Sequence, residues 1–103
     1  MVKRFHISIA VGDYDASVKE YSQRLGTEPE VKIANRYALW RTDLLNFSIS
    51  KKPGETPGTV RHIGFEDSAV AGFSESTDVN GIVWELFTKE AQAQEIKEKF
   101  KTT

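Results

Sequence analysis

Apolar and polar residues alternate over residues 4–11, with Phe5, Ile7, Ile9 and Val11 pointing one way and Arg4, His6, Ser8 and Ala10 the other. Period two is the mark of a half-buried β-strand. The period then changes. Tyr14, Val18, Tyr21 and Leu25 recur at offsets of four, seven and eleven, which places them on one face of an α-helix. Asp13 or Asp15 can cap its start, and Gly26 can close its end. After Pro29 period two returns in EVKIAN, RYALWR and LLNFSIS, the last with Leu45, Phe47 and Ile49 on its apolar side. Asn35-Arg36 and Thr42-Asp43 fall at the turns between them. The first half therefore reads β-α-β-β-β.

KKPGETPG (51–58) is a linker by its prolines and glycines. Beyond it TVRHIGFED reads as a strand, AVAGFSES as a weaker one, and GIVWELF as a strong one after the turn Asp78-Val79-Asn80-Gly81. The segment TKEAQAQEIKEKFK is helix-forming, with Ala93, Ile96 and Phe100 on one face and Glu95 and Lys99 spaced as an i,i+4 ion pair. FHISIAV and RHIGFED both carry a histidine near the start of a strand, a hint of internal duplication.

A chain of 103 residues has room for one domain and one modest core, which favours association into a homodimer. Apolar residues make up 39% and charged ones 28%, an ordinary globular balance. The net charge of −1, with basic residues scattered among acids, argues against a nucleic-acid partner. The absence of cysteine removes disulfides, thiolate metal sites and thiol nucleophiles. The start, MVKRFHISIAVGD, lacks the long apolar run of a signal peptide, and no segment approaches the roughly 18 apolar residues of a membrane span. A soluble, cytoplasmic protein is the expectation.

Only two histidines are present, and both lie in predicted strands. His6 shares its face with Ser8 and Ala10, and His62 lies beside Gly64 on its own, so both faces leave space for a ligand. Glu85 sits within IVWELF, where an unpartnered carboxylate is costly to bury and a cation would compensate it. Two imidazoles and a carboxylate are a common donor set for Zn, Fe, Mn or Ni. The blander readings stand beside this one. A lone strand histidine is more often a hydrogen-bonded side chain than a ligand, and Glu85 could pair with a neighbouring Lys or Arg. Trp40, Trp84, Phe47 and Phe87 read first as packing residues. Glycine-rich phosphate loops, G-x-S-x-G and H-E-x-x-H are all missing.

The stretch FHISIAVGDYDASVKEYSQRLG resembles the opening signature of the vicinal-oxygen-chelate superfamily, the glyoxalase, bleomycin-resistance and dioxygenase proteins. RHIGFED resembles the start of that superfamily's second module, and DVNGIVWELF its closing strand. LNFSIS, followed by a Pro/Gly loop and RHIG, looks most like the branch of cadmium-induced proteins and organoarsenical lyases. The resemblance implies an α+β fold of paired β-α-β-β-β modules forming a curved mixed sheet. Residues 1–50 would form the first module of a single 1–103 domain, and 59–103 a second module lacking its helix. It implies a divalent metal (Fe, Zn, Ni or Mn) on His6, His62 and Glu85, with Asn46 at or near a fourth position. Asn46, Tyr37 and Trp40 would face the substrate, and Glu85 would double as the catalytic group.

Three departures accompany the resemblance. Only 22 residues separate His62 from Glu85, too few for a full second module; no cysteine is available for trivalent arsenic; and Val79 stands where the family's final turn has Pro. The implied activity is a metal-dependent lyase, isomerase or ring-cleaving dioxygenase on a small oxygenated molecule. The rival reading is a metal-free sequestering protein of the same fold, its cleft lined by Tyr37, Trp40 and Trp84.

Overall fold

A computed structural model describes residues 2–101. Its elements are β1 (Lys3–Val11), α1 (Tyr14–Leu25), β2 (Val31–Ile33), β3 (Tyr37–Arg41), β4 (Leu45–Lys51), β5 (Val60–Asp67), β6 (Phe73–Thr77), β7 (Val83–Phe87) and α2 (Lys89–Lys99). The architecture is α+β: one seven-stranded mixed sheet, in the order β2-β3-β4-β1-β5-β7-β6, with a helix on each face. β1 pairs in parallel with β4, and β5 in parallel with β7; β1 and β5 join the two halves in antiparallel register. No helix among the described residues is long and apolar enough to cross a membrane.

The first helix forms as its sequence dictates. The Asp13 side chain accepts from the Ala16 amide at 3.0 Å, satisfying a donor that the helix itself leaves free. Gly26 closes the other end in the left-handed region, at φ 74°, with its amide on the Ser22 carbonyl. Between these caps Tyr14 and Val18 pack against Val11, Ala38, Trp40 and Ile49, with Tyr21, Leu25 and Phe47 at the margin. This is the main core. Trp40 is fully buried within it and donates its indole N–H to Ser22 Oγ at 3.2 Å.

The second half differs from a complete module. Only the turn 68–72 connects β5 to β6, so neither a helix nor a fourth strand is present there. On the α1 side of that half, Phe65 stacks near Trp84 with ring centroids 6.4 Å apart, and both remain half-buried with no helix above them. Helix α2 takes the opposite face instead. It rests on the sheet through Gln92, Ile96 and Phe100, at i, i+4 and i+8; Ala93, expected on the packed face, is exposed. The segment is helical and Ile96 and Phe100 pack as expected, but Gln92 takes the place of Ala93, drawn inward by polar partners that no hydropathy pattern shows.

Candidate metal centre

One row of residues crosses the sheet on the α2 side. Arg41, Asn46, His6, Gly64, Glu85 and Glu75 are successive cross-strand partners on β3, β4, β1, β5, β7 and β6. Gly64 has no side chain, so His6 and Glu85 face each other across it, with Nε2 and Oε1 3.7 Å apart. His62 reaches the same point from the neighbouring level, opposite Ser8, and its Nε2 lies 3.2 Å from Glu85 Oε1. One donor atom from each of the three residues lies within 4.8 Å of the other two. Donors at metal-bond lengths of about 2.1 Å in tetrahedral or octahedral geometry stand about 3.0–3.4 Å apart; the 3.2 Å separation falls in that range, the 3.7 Å one lies above it, and all three atoms lie within 4.8 Å of one another.

The protonation states suit the same use. Burial lowers His6, and the hydrogen bonds it donates to Asn46 only partly oppose it. Burial, with the charges of His6, Arg61 and Lys99, lowers His62 to about 4. Both imidazoles are therefore neutral near pH 7, with a lone pair available. Burial raises Glu85 to about 7, and the carboxylates of Glu95 and Glu75 push the same way against Lys99 and Arg61. The 3.2 Å contact between Glu85 and His62 is then not an ion pair below neutral pH, since neither group is charged there. A cation among the three would remove the cost that keeps Glu85 protonated. The residues fit a divalent ion.

Asn46 is not a donor in this centre. It is fully buried, and its Oδ1 accepts from His6 Nδ1 at 2.9 Å while its Nδ2 donates to Glu66 Oε1 at 2.9 Å. The direction of that chain is fixed from its far end. Arg41 Nε and Arg4 Nη1 clamp Glu66 at 2.7 and 2.8 Å. Burial pushes the Glu66 carboxyl up, but hydrogen bonds from Arg41 and Asn46 and the charges of Arg41 and Arg4 outweigh it and hold it ionised. An ionised carboxylate only accepts, so Asn46 must present its amide N–H₂ to Glu66 and its oxygen to His6. His6 must then carry its proton on Nδ1, and Nε2 is left bare toward Glu85. Gln92 of α2 completes the network by donating to Asn46 Oδ1 at 3.1 Å and accepting from Arg41 Nη2 at 2.9 Å. Nothing in the sequence pointed to Glu66 or Gln92. Their only signal was a charged residue on the same strand face as His62 and a glutamine on a weakly amphipathic helix.

Trp40 does not face the site. It lies in the α1 core on the other side of the sheet, because its position in β3 has the opposite parity to Tyr37 and Arg41. Trp84 is likewise turned away and donates its indole N–H to Asp78 Oδ2 at 2.9 Å. Tyr37 does line the cavity, and burial raises its phenol so that it stays protonated. The expected Glu95–Lys99 ion pair is absent within 4 Å among the described residues; both side chains line the cavity instead. With α2 in place the free volume beside the three donors is about 30 Å³, room for about one water.

No family model and no curated protein matches the chain. Among solved structures it is similar to the NAD-dependent benzaldehyde dehydrogenase from Legionella pneumophila, with a TM-score of 0.56 and 11% identity. That match covers 82% of this chain and 97% of the other. At so low an identity the likeness concerns the fold alone.

Proposed function

We propose that the chain is a divalent-metal-dependent enzyme of the vicinal-oxygen-chelate type, a lyase, isomerase or ring-cleaving dioxygenase acting on a small oxygenated substrate. The observation that carries this reading is the convergence of His6, His62 and Glu85, three side chains distant in sequence, on one point of the sheet. The strand wiring supports it as well. In each half the opening strand lies parallel to the closing one, β1 beside β4 and β5 beside β7, as paired modules require.

His6 and His62 would hold the ion through Nε2 and Glu85 through Oε1. When bound, the ion supplies Lewis-acid polarisation of two neighbouring substrate oxygens. The chain's own groups do the rest. In the metal-free protein Glu85 takes up a proton near pH 7; ligated to the ion it would be ionised, and would accept a proton from substrate only on leaving the ion. Tyr37, kept protonated, offers its O–H to a substrate oxygen. Asn46 and Glu66 keep the His6 ring oriented. A metal-free sequestering role was expected to use Tyr37, Trp40 and Trp84 together, and those three are not on one face.

A cytoplasmic homodimer belongs to the same reading. What supports the dimer is the half-buried outer face of β5 and β7, carrying Phe65 and Trp84 without a covering helix. The deciding experiment is metal analysis of the purified, reconstituted protein with His6→Ala and Glu85→Ala as controls. One divalent ion per chain, lost in both variants, is the expected result. A content near zero in the wild type, or one that survives both substitutions, sinks the reading.

A further inference from the structure

We propose that Arg61 and Lys99 form an anion subsite beside the metal centre, so that the substrate is a small oxygenated organic acid held by its carboxylate. This deepens the proposed function and rests on it for the use made of the subsite.

The first observation is a β-bulge. On β5, His62 pairs with Ser8 and Val60 with Ile9, leaving Arg61 without a partner on β1. Strict alternation would send Arg61 to the opposite face from His62. The extra residue re-aims the side chain instead, and both Arg61 and His62 line the same cavity.

The second observation is a buried donor in this wall without a hydrogen-bond partner, beside the solvent-exposed Lys99. Arg61 Nε is buried and makes no hydrogen bond, and the nearest carboxylate oxygen, on Glu55, stays 3.4 Å away outside bonding geometry. A buried donor left this way costs free energy until something accepts from it. Lys99, on α2, makes no ion pair within 4 Å among the described residues although Glu95 stands one turn before it. Lys52 lies close enough to add its charge to the same region.

The third is charge. The cavity wall carries the cations Arg61 and Lys99 together with the carboxylates Glu85 and Glu95, with Glu75 and Glu55 close by. A divalent ion among the donors would add positive charge beside Arg61 and Lys99, which a substrate carboxylate would offset. A carboxylate also matches the planar fork of a guanidinium, and one of its neighbours in a 2-hydroxy acid is the hydroxyl oxygen a metal would polarise. The cavity, at about 30 Å³, admits such a molecule only if a wall shifts. Helix α2 is the wall formed outside the sheet, resting on half-buried Ile96 and Phe100 beside the buried Gln92. Lys99 rides on it, so an anion bound between Lys99 and Arg61 draws α2 back onto the sheet.

The test uses an isosteric pair, glycolate and its neutral amide glycolamide, titrated at fixed ionic strength and followed by amide chemical shifts. It is run on metal-free and on zinc-loaded protein. Glycolate is expected to bind at least tenfold more tightly than glycolamide in both forms. Arg61→Gln and Lys99→Gln should each reduce that preference at least threefold and together bring it near unity. Equal affinity for the two probes, including no binding of either, overturns the subsite, as does a preference that survives in the double variant. If the protein takes up no zinc, the metal-free titration still decides the anion subsite, so the two readings fail separately.

Discussion

Gly64 and Glu85 are so close that a Cβ on Gly64 would stand 1.8 Å from the Glu85 carbonyl oxygen. The same position lies between His6 and Glu85 in the cross-strand row, so a single missing side chain lets β7 approach β5 and lets a carboxylate reach an imidazole.

Gly64→Ala should therefore damage fold and site together. The obstacle is backbone, which cannot swing aside as a flexible side chain can, and overpacking of this kind costs about 1–3 kcal/mol or more. Gly12→Ala is the milder control, since its Cβ would meet only a ring carbon of Pro57, at 3.1 Å. Thermal denaturation of both variants checks this; equal midpoints would show that the close approach is not a constraint.

The Asn46 network predicts the tautomer of His6. In metal-free protein near pH 7, long-range proton–nitrogen correlation spectra should place the imidazole proton on Nδ1. Asn46→Leu removes the side-chain acceptor, keeping only the backbone carbonyl of residue 46 at 3.1 Å from His6 Nδ1, and leaves Glu66 and Gln92 short of a partner, so it should cost about 2–4 kcal/mol and weaken metal binding about 10–100-fold. A proton found on Nε2 in the wild type contradicts the relay.

Glu85 sets a pH dependence whose sign can be worked out. Its folded pKa, about 7, lies above the ordinary value of 4.5, so the folded metal-free protein binds the proton more tightly than the unfolded chain. The associated stability is fully present below pH 4.5 and is lost as pH rises through about 7. At about 1.4 kcal/mol per pH unit, the difference amounts to about 3 kcal/mol. The groups facing Glu85 are His6, His62, Arg61, Glu75, Glu95 and Lys99, and of these His62, lowered to about 4, acts in the opposite sense as pH falls below 6.5. Comparison with Glu85→Gln isolates the Glu85 contribution. Denaturant unfolding at pH 5 and pH 8 should show wild type losing ground to the variant at the higher pH, and an unchanged difference would refute the assignment.

Metal uptake should release that proton. Below pH 7 the ion must displace it from Glu85, so apparent affinity should fall by up to tenfold per pH unit. Calorimetric titrations at pH 6 in buffers of different ionisation enthalpy measure the release directly. About one proton per metal at pH 6, shrinking above pH 8, is the expected outcome.

Trp40 provides a contrast between stability and site. Its indole fills the α1 core, so Trp40→Ala should cost about 3–5 kcal/mol. Since the ring lies across the sheet from the donors, zinc affinity measured on the folded fraction should change by less than threefold. A large change in affinity would mean that the two faces are coupled more tightly than the packing indicates.

The succession of strands and helices, a helix start at Asp13 or Asp15, its close at Gly26, and His6, His62 and Glu85 as candidate ligands were all legible along the chain. Each depends on local rules: a period of two or 3.6, a side chain that satisfies a helix end, or an acid out of place in an apolar run. The tertiary structure decided what those rules do not reach. It set Asn46 against His6 Nδ1 and Glu66, away from the point where the three candidate ligands meet, it put Trp40 behind the sheet, and it brought Glu66 and Gln92 into the polar row. It also turned Arg61 toward the cavity through a bulge and laid α2 over the site instead of over the uncovered face. Each of these depends on which strands become neighbours and in what register, and register is a property of pairing between distant segments that no single segment encodes.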